Sequence, residues 1–242
     1  MQTRSALQEK NHHFSTMINP VIASKLQQVR ERIAGAALRS GRDPTEIELV
    51  AVSKTYPPEL IREASESGQE IFGESRIQEA ILKIPLLPAR LRWHFIGHLQ
   101  SNKVRKILPL FELIHGVDKL GTARDIDRIG AELGLFPRVL LEVNVSGEGS
   151  KQGFEPQNLE AIIGDLLTMP RLQVEGLMTM APLSAEAEFS RRYFSGLREL
   201  RDRLAKQTGI PLSTLSMGMS GDFEVAVEEG ATLCRVGSAI FG

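Results

Sequence analysis

The sequence has one cysteine, one tryptophan and two tyrosines, no excess of either charge, and no long apolar run. Each shortage excludes something. Cys234 alone cannot close an intrachain disulfide, and in the apolar run Leu233, Cys234, Arg235, Val236 it reads as a small buried hydrophobe suited to a reducing cytosol. Twenty-nine basic residues against 30 acidic ones leave a net charge of -1, so no global field draws the chain onto nucleic acid or an anionic membrane. The N-terminus, MQTRSALQEKNHHFSTM, lacks the apolar core of a secretory signal, and nowhere do the roughly 18 apolar residues of a membrane span run together. The expectation is a cytoplasmic protein with no nucleic-acid and no membrane partner. His12 and His13 have no further ligand at metal spacing and read as solvated residues of a polar tail.

What is present is enough for one sizeable domain: 242 residues, 42% hydrophobic and 24% charged, the usual span of a single eight-fold α/β barrel. Residues 1–16 are expected to form a flexible tail and 17–242 a single domain. Asn19 and Pro20 offer an N-cap and a first-turn proline, Ile22, Leu26, Val29 and Ile33 repeat at helical spacing, and Gly41 and Pro44 stop the helix. Strand-like runs then recur over 47–53, 70–72, 91–96, 111–115, 139–145, 174–178, 214–217 and 232–236. Runs such as IELVAVS and VLLEVNV are nearly continuous in apolar character, as when both faces of a strand are covered. Amphipathic helical stretches lie between them, including 159–167 and a long one over 185–207 with Phe189, Tyr193, Leu197, Leu200 and Leu204 on one stripe. Eight β-then-α units imply parallel strands with right-handed crossovers and favour an α/β fold of the (β/α)8 TIM barrel type. An open doubly wound sheet is the alternative, because strand order is not written in the sequence.

In a barrel the chemistry sits at the strand C-termini. The loops there are rich in polar and small residues: Ser53, Lys54, Thr55 and Tyr56; Gly73, Glu74, Ser75 and Arg76; the run 97–103 with His98; the run 146–151 ending in Lys151; and Met217, Gly218, Met219, Ser220, Gly221 and Asp222. Gly218, Ser220 and Gly221 before one helix, and Gly237 with Ser238 before the last turn, supply free backbone N–H groups after strands seven and eight. That is the usual phosphate position of a barrel, although two tight turns with Ser220 as a simple cap would read the same way. Lys54 ends an apolar strand, where a partly desolvated amine would attack a carbonyl; judged alone, a solvated strand-end lysine is the plainer reading. Barrel closure makes strands eight and one neighbours, so Lys54, the phosphate loops and Arg235 would face one pocket. These are the parts that hold pyridoxal 5'-phosphate (PLP).

The runs AVSKTYP, FGESRIQEA, WHFIGHLQSNK, NVSGEGSKQGF, GLMTMAP and LSMGMSGDFEVAVEEGATLCRVGSAIFG resemble the pyridoxal phosphate homeostasis protein family over about 47–242. The resemblance implies a fold-type III PLP barrel like the N-terminal domain of alanine racemases. It matches Lys54 to the family's Schiff-base lysine, Ser220, Gly237 and Ser238 to its phosphate-binding positions, and Arg235 to the arginine facing the pyridine nitrogen. After strand two the family's G-E-N motif is changed, with Ser75 in place of the asparagine. The candidate cofactor-binding set is Lys54, Ser75, His94, Met217, Gly218, Ser220, Arg235, Gly237 and Ser238, with no catalytic residue and no metal ligand assigned.

A permanent cation at the pyridine nitrogen disfavours its protonation and weakens carbanion chemistry. Related racemases add a tyrosine base delivered with a separate C-terminal domain, and this sequence stops at Gly242. Tyr56, two residues beyond the lysine, and Tyr193, on an outer-helix stripe, are the only tyrosines. The expected function is therefore a PLP carrier or regulator that holds the cofactor reversibly and serves homeostasis of PLP, vitamin B6 and linked amino-acid pools; the alternative is a PLP-dependent racemase or lyase. PLP-requiring apo-enzymes or a regulatory protein are the candidate protein partners, and a monomer is expected; Lys151 could assist transfer, although a solvated loop lysine is the plainer reading. His94 and His98 do not share a helical face as a zinc pair would; one of them is expected to line the mouth. Trp93 reads as core, and Met178, Met180, Met217 and Met219 as packing around the pocket floor.

Overall fold

The structure, a computed structural model, describes residues 20–149 and 151–242. The expected tail over 1–16, with His12 and His13, lies outside the described residues, as do the Asn19 cap and Ser150. Eight strands follow one another: β1 (Glu48–Val52), β2 (Ile71–Glu74), β3 (Arg92–Phe95), β4 (Leu113–Val117), β5 (Arg138–Glu142), β6 (Gln173–Met178), β7 (Thr214–Ser216) and β8 (Leu233–Val236). Each pairs in parallel with the next, and β8 returns to β1 in the register Glu48 to Leu233 through Ala51 to Val236. That closing pair decides for the TIM barrel over the open sheet.

The helices are α1 (Pro20–Arg39), α2 (Pro58–Glu66), α3 (Ile77–Lys83), α4 (Val104–Ile107), α5 (Leu120–Leu133), α6 (Pro156–Leu167), α7 (Arg191–Thr208), α8 (Phe223–Glu228) and α9 (Ser238–Phe241). α1 buries the expected Ile22, Leu26, Val29 and Ile33 and packs on α2, α8 and α9. The stripe on α7 begins later than the periodicity suggests. Phe194, Leu197, Leu200 and Leu204 are buried, each contributing about 1.5–3 kcal/mol, while Phe189 lies exposed in the 3-10 turn Ala187–Ser190.

Alternation along the strands separates two apolar regions. Val50, Ile71, Leu113, Leu140, Met178 and Leu233 fill the inside of the barrel, and a larger shell, including Trp93 packed on Phe72, fills the space between barrel and helices. β2 runs on through Gly73 and Glu74, which the sequence placed in a loop. Gly73 belongs in the strand because the interior is crowded there: a Cβ would lie 3.0 Å from Ile96 and 3.1 Å from Val50. β5 stops at Glu142, short of the expected 145, because Asn144 opens a turn in which its Oδ1 accepts the Ser146 hydroxyl at 3.0 Å and the Gly147 N–H at 3.1 Å. Among the described residues no helix is long and apolar enough to cross a membrane.

Candidate functional site

At the C-terminal mouth a cavity of about 440 Å³ is lined by Lys54, Tyr56, Ser220, Arg235, Gly237 and Ser238, with Val52, Ile96, Met180 and Met219 among its apolar walls. A second lobe of about 450 Å³ shares Ile96, Met180, Leu183 and Met219 with the first and adds His98, Glu142, Asn144, Lys151 and Met178. The pocket expected from closure of strand eight on strand one is therefore present, with Lys54, Arg235 and the two small-residue loops around it.

Lys54 follows the end of β1 by two residues and lines the mouth cavity. The backbone on both sides of it is pinned from behind the sheet. Ser53 is buried and donates its hydroxyl to Glu74 Oε1 at 2.7 Å; Lys83 Nζ donates to the Ser53 carbonyl at 2.9 Å and to Glu74 Oε1 at 3.1 Å. Lys83 also pairs with Glu79, whose carboxylate accepts the Thr55 N–H at 2.7 Å. These contacts hold Thr55 at φ 69°, a left-handed conformation that costs a residue with a Cβ about 1 kcal/mol. Burial raises the Glu74 carboxyl above its ordinary value, against the Ser53 hydrogen bond and the Lys83 charge. The expectation of a partly desolvated Lys54 is corrected: the residue is exposed, because it lies beyond the last strand residue, in the turn at the rim.

The opposite wall is made by the loops after β7 and β8. Gly218 turns the chain at φ +89°; a Cβ there would lie 2.5 Å from Ala226 Cβ and 2.9 Å from Phe223 Cα. Asp222 then fastens the loop, its Oδ1 accepting the Met219 N–H at 2.7 Å and its Oδ2 the Ser190 hydroxyl at 2.9 Å. Ser220 Oγ accepts the N–H groups of Gly237 and Ala239, each at 3.3 Å, so a hydroxyl and backbone donors converge on one small region. A Cβ on Gly237 would make a tight contact, 3.2 Å from Val52 Cβ. Such a group of donors suits anionic oxygens.

Arg235 points into the barrel from β8 and is buried. Its guanidinium donates to Ser216 Oγ and, at 3.0 Å, to the Thr179 carbonyl. Burial lowers it to about 10, which leaves a cation at neutral pH. Beneath it His115 Nδ1 is 2.9 Å from Ser216 Oγ, and His115 Nε2 is 3.0 Å from His94 Nδ1. Burial pushes His94 down to about 4 and His115 well below the ordinary imidazole value. Glu142, at the end of β5, is raised to about 7, first by burial and then by the Asp118 charge, with Arg235 opposing.

Several expected residues fall elsewhere. His94 is 1% exposed inside the barrel and lines a cavity on its N-terminal face; Ile96, two residues on and just past the end of β3, is the one at the mouth. Met217 has the opposite parity from Ser216 and packs outward in the barrel–helix shell, while Met219 takes the place at the mouth. Gly218 acts through its turn rather than as a lining residue. Ser75 is half-buried outside both lobes, its carbonyl oxygen 2.3 Å from where a Cβ on Gly97 would be. Tyr56 stacks on Phe241 at 5.0 Å, and Tyr193 stays on α7, accepting a hydrogen bond from Arg192 at 2.8 Å. Lys151 donates to the Met180 carbonyl at 3.1 Å from the second lobe. Sequence reasoning missed Glu74, Lys83, His115, Ser216 and Glu142 as site residues. The signal for three of them was strand parity: His115, Ser216 and Glu142 share the inward phase of Leu113, Thr214 and Leu140.

The alanine racemase N-terminal domain family matches residues 25–242. A pyridoxal phosphate homeostasis protein from Aquifex aeolicus is 45% identical over 219 residues, which is 90% of this chain and 96% of the relative. PipY of Synechococcus elongatus, solved without PLP and with PLP bound, is 40% identical and superposes with TM-scores of 0.83 and 0.80, covering 91% of this chain and 100% of PipY. An alanine racemase of Clostridium difficile is 16% identical with a TM-score of 0.74, covering 93% of this chain but 57% of the racemase; that likeness is one of fold.

Proposed function

The chain belongs to the pyridoxal phosphate homeostasis protein family, and on that premise we propose that it binds PLP in the mouth of its barrel and serves intracellular homeostasis of PLP, vitamin B6 and linked amino-acid pools. The observation that carries the reading is the convergence of Lys54, Arg235, Ser220, Gly237 and Ser238 on one cavity. PLP supplies an aldehyde that condenses reversibly with a primary amine, losing water. The residues fit that group. Lys54 is the amine; Ser220, Gly237 and Ser238, shaped by the Gly218 turn, take the phosphate; Arg235 is a fixed cation for the ring side. Ser75, His94 and Met217 lie outside that lining.

A carrier or regulator is the form of this function that the residues favour over catalysis. Arg235 remains charged at neutral pH, which opposes protonation of a neighbouring ring nitrogen and so weakens the electron sink that racemases and lyases draw on. We propose a cytoplasmic monomer: the one cysteine, Cys234, is buried, with the thiol pushed up to about 12, and so is placed for a disulfide neither within the chain nor between chains. PLP-requiring apo-enzymes are its natural recipients.

Titration of the purified protein with PLP tests the reading. The expected result is a shift of the PLP absorption band to longer wavelength that Lys54→Ala abolishes; no shift, or an unchanged shift in Lys54→Ala, overturns it. Incubation with L- and D-amino acids in deuterated water separates carriage from catalysis. Carriage predicts no Cα-proton exchange, and exchange during turnover assigns the chain to the racemase or lyase class.

A further inference from the structure

Arg235 is the buried cation of the cleft, and its hydrogen bonds lead away from the mouth into the barrel. A guanidinium can only donate, so Ser216 Oγ accepts from it. Ser216 has one proton of its own, and the acceptor within reach is His115 Nδ1 at 2.9 Å. His115 must then carry its proton on Nε2, which faces His94 Nδ1 at 3.0 Å. His94 in turn carries its proton on Nε2. That atom is buried and without a hydrogen-bond partner among the described residues, on the side of the cavity at the barrel's N-terminal face that Arg92, Arg138, Glu48 and Glu175 also line. The reverse order would give the Ser216 hydroxyl proton no acceptor while leaving His94 Nε2 equally unpartnered. One direction therefore satisfies the chain best.

We infer that Ser216 and His115 are positioning residues, whose one-way hydrogen-bond chain from Arg235 to His94 fixes the guanidinium at the cofactor mouth. The inference rests on the PLP reading for its consequence, though not for its geometry. Burial keeps both imidazoles neutral, as the chain requires, since an imidazolium at His115 could not accept from Ser216. With Ser216 truncated, Arg235 keeps the Thr179 carbonyl but loses its side-chain anchor, and the His115 Nδ1 acceptor is left bare.

Long-range proton–nitrogen NMR on the cofactor-free protein, labelled with 15N-histidine, reads the chain directly. Both His94 and His115 are expected as neutral Nε2–H tautomers; an Nδ1–H tautomer or an imidazolium at either one overturns the inference. PLP titration of Ser216→Ala is expected to show affinity about tenfold weaker than wild type, with a shifted His115 signal, while Ser216→Thr, which keeps the hydroxyl, restores both. A Ser216→Ala protein with wild-type affinity overturns the positioning role. If that variant does not fold, the wild-type tautomers still decide. A wild-type protein that does not bind PLP contradicts the cofactor reading instead, and the tautomer result stands apart from it.

Discussion

Lys83 Nζ lies 2.9 Å from the carbonyl oxygen of Ser53, the residue immediately before Lys54, and the same ammonium pairs with the buried Glu74. The proposed cofactor lysine is thus held by a second lysine on the far side of the sheet. Lys83→Met would leave the Glu74 carboxyl buried without its cation, so urea unfolding should show a loss of about 3 kcal/mol and PLP titration a weaker affinity. Adding Glu74→Gln to Lys83→Met removes the stranded charge and should recover part of the stability, but not the affinity.

The two glycines on either side of Ser220 should respond oppositely. Gly218→Ala places a Cβ 2.5 Å from Ala226 in a left-handed backbone, so a stability loss above about 2 kcal/mol and a loss of PLP binding are expected. At Gly221 a Cβ would meet nothing within 4 Å, and Gly221→Ala should stay within about 0.5 kcal/mol of wild type in the same unfolding measurement.

Ser220→Ala removes the hydroxyl of the phosphate group of donors. Comparing PLP with pyridoxal, which has no phosphate, isolates the effect: the preference for PLP should fall about tenfold, while pyridoxal binding should be little changed.

Glu142 carries a pH signature. Its carboxyl rises from an ordinary 4.5 to about 7 on folding, so the folded chain holds this proton more tightly than the unfolded one. The resulting stabilisation is complete below about 4.5 and lost as pH rises through about 7, a change of about 3 kcal/mol. His94, depressed to about 4, works in the opposite sense, losing stability as pH falls. Unfolding of Glu142→Gln beside wild type at several pH values separates the two: the variant should gain relative stability between pH 5 and 8.

The strand runs and the pairing of small residues after strands seven and eight were legible because apolar runs and glycine-rich turns are local properties. Lys54 and Arg235 could be placed in one pocket because eight β/α units favour a barrel, whose closure makes strands eight and one neighbours, as the β8–β1 pairing shows. What was not legible depends on contacts between distant segments. Lys83 is an ordinary-looking helical lysine until α3 packs on β2, and Gly73 resembles a turn residue until Ile96 and Val50 crowd it. Met217 and Met219 lie two apart and so share a phase in an extended strand, yet they end on opposite sides because the Gly218 turn intervenes. His94 failed as a mouth residue for a matter of depth: its inward parity was right, but one layer too low.

On the proposed function, Lys54 is the residue that takes the cofactor. Reduction of the PLP-loaded protein with borohydride, followed by peptide mass mapping, tests it most directly. A phosphopyridoxyl group is expected on the peptide containing Lys54 and on no other lysine; the label on Lys151, Lys83 or elsewhere in place of Lys54, or no label, would overturn the assignment of Lys54.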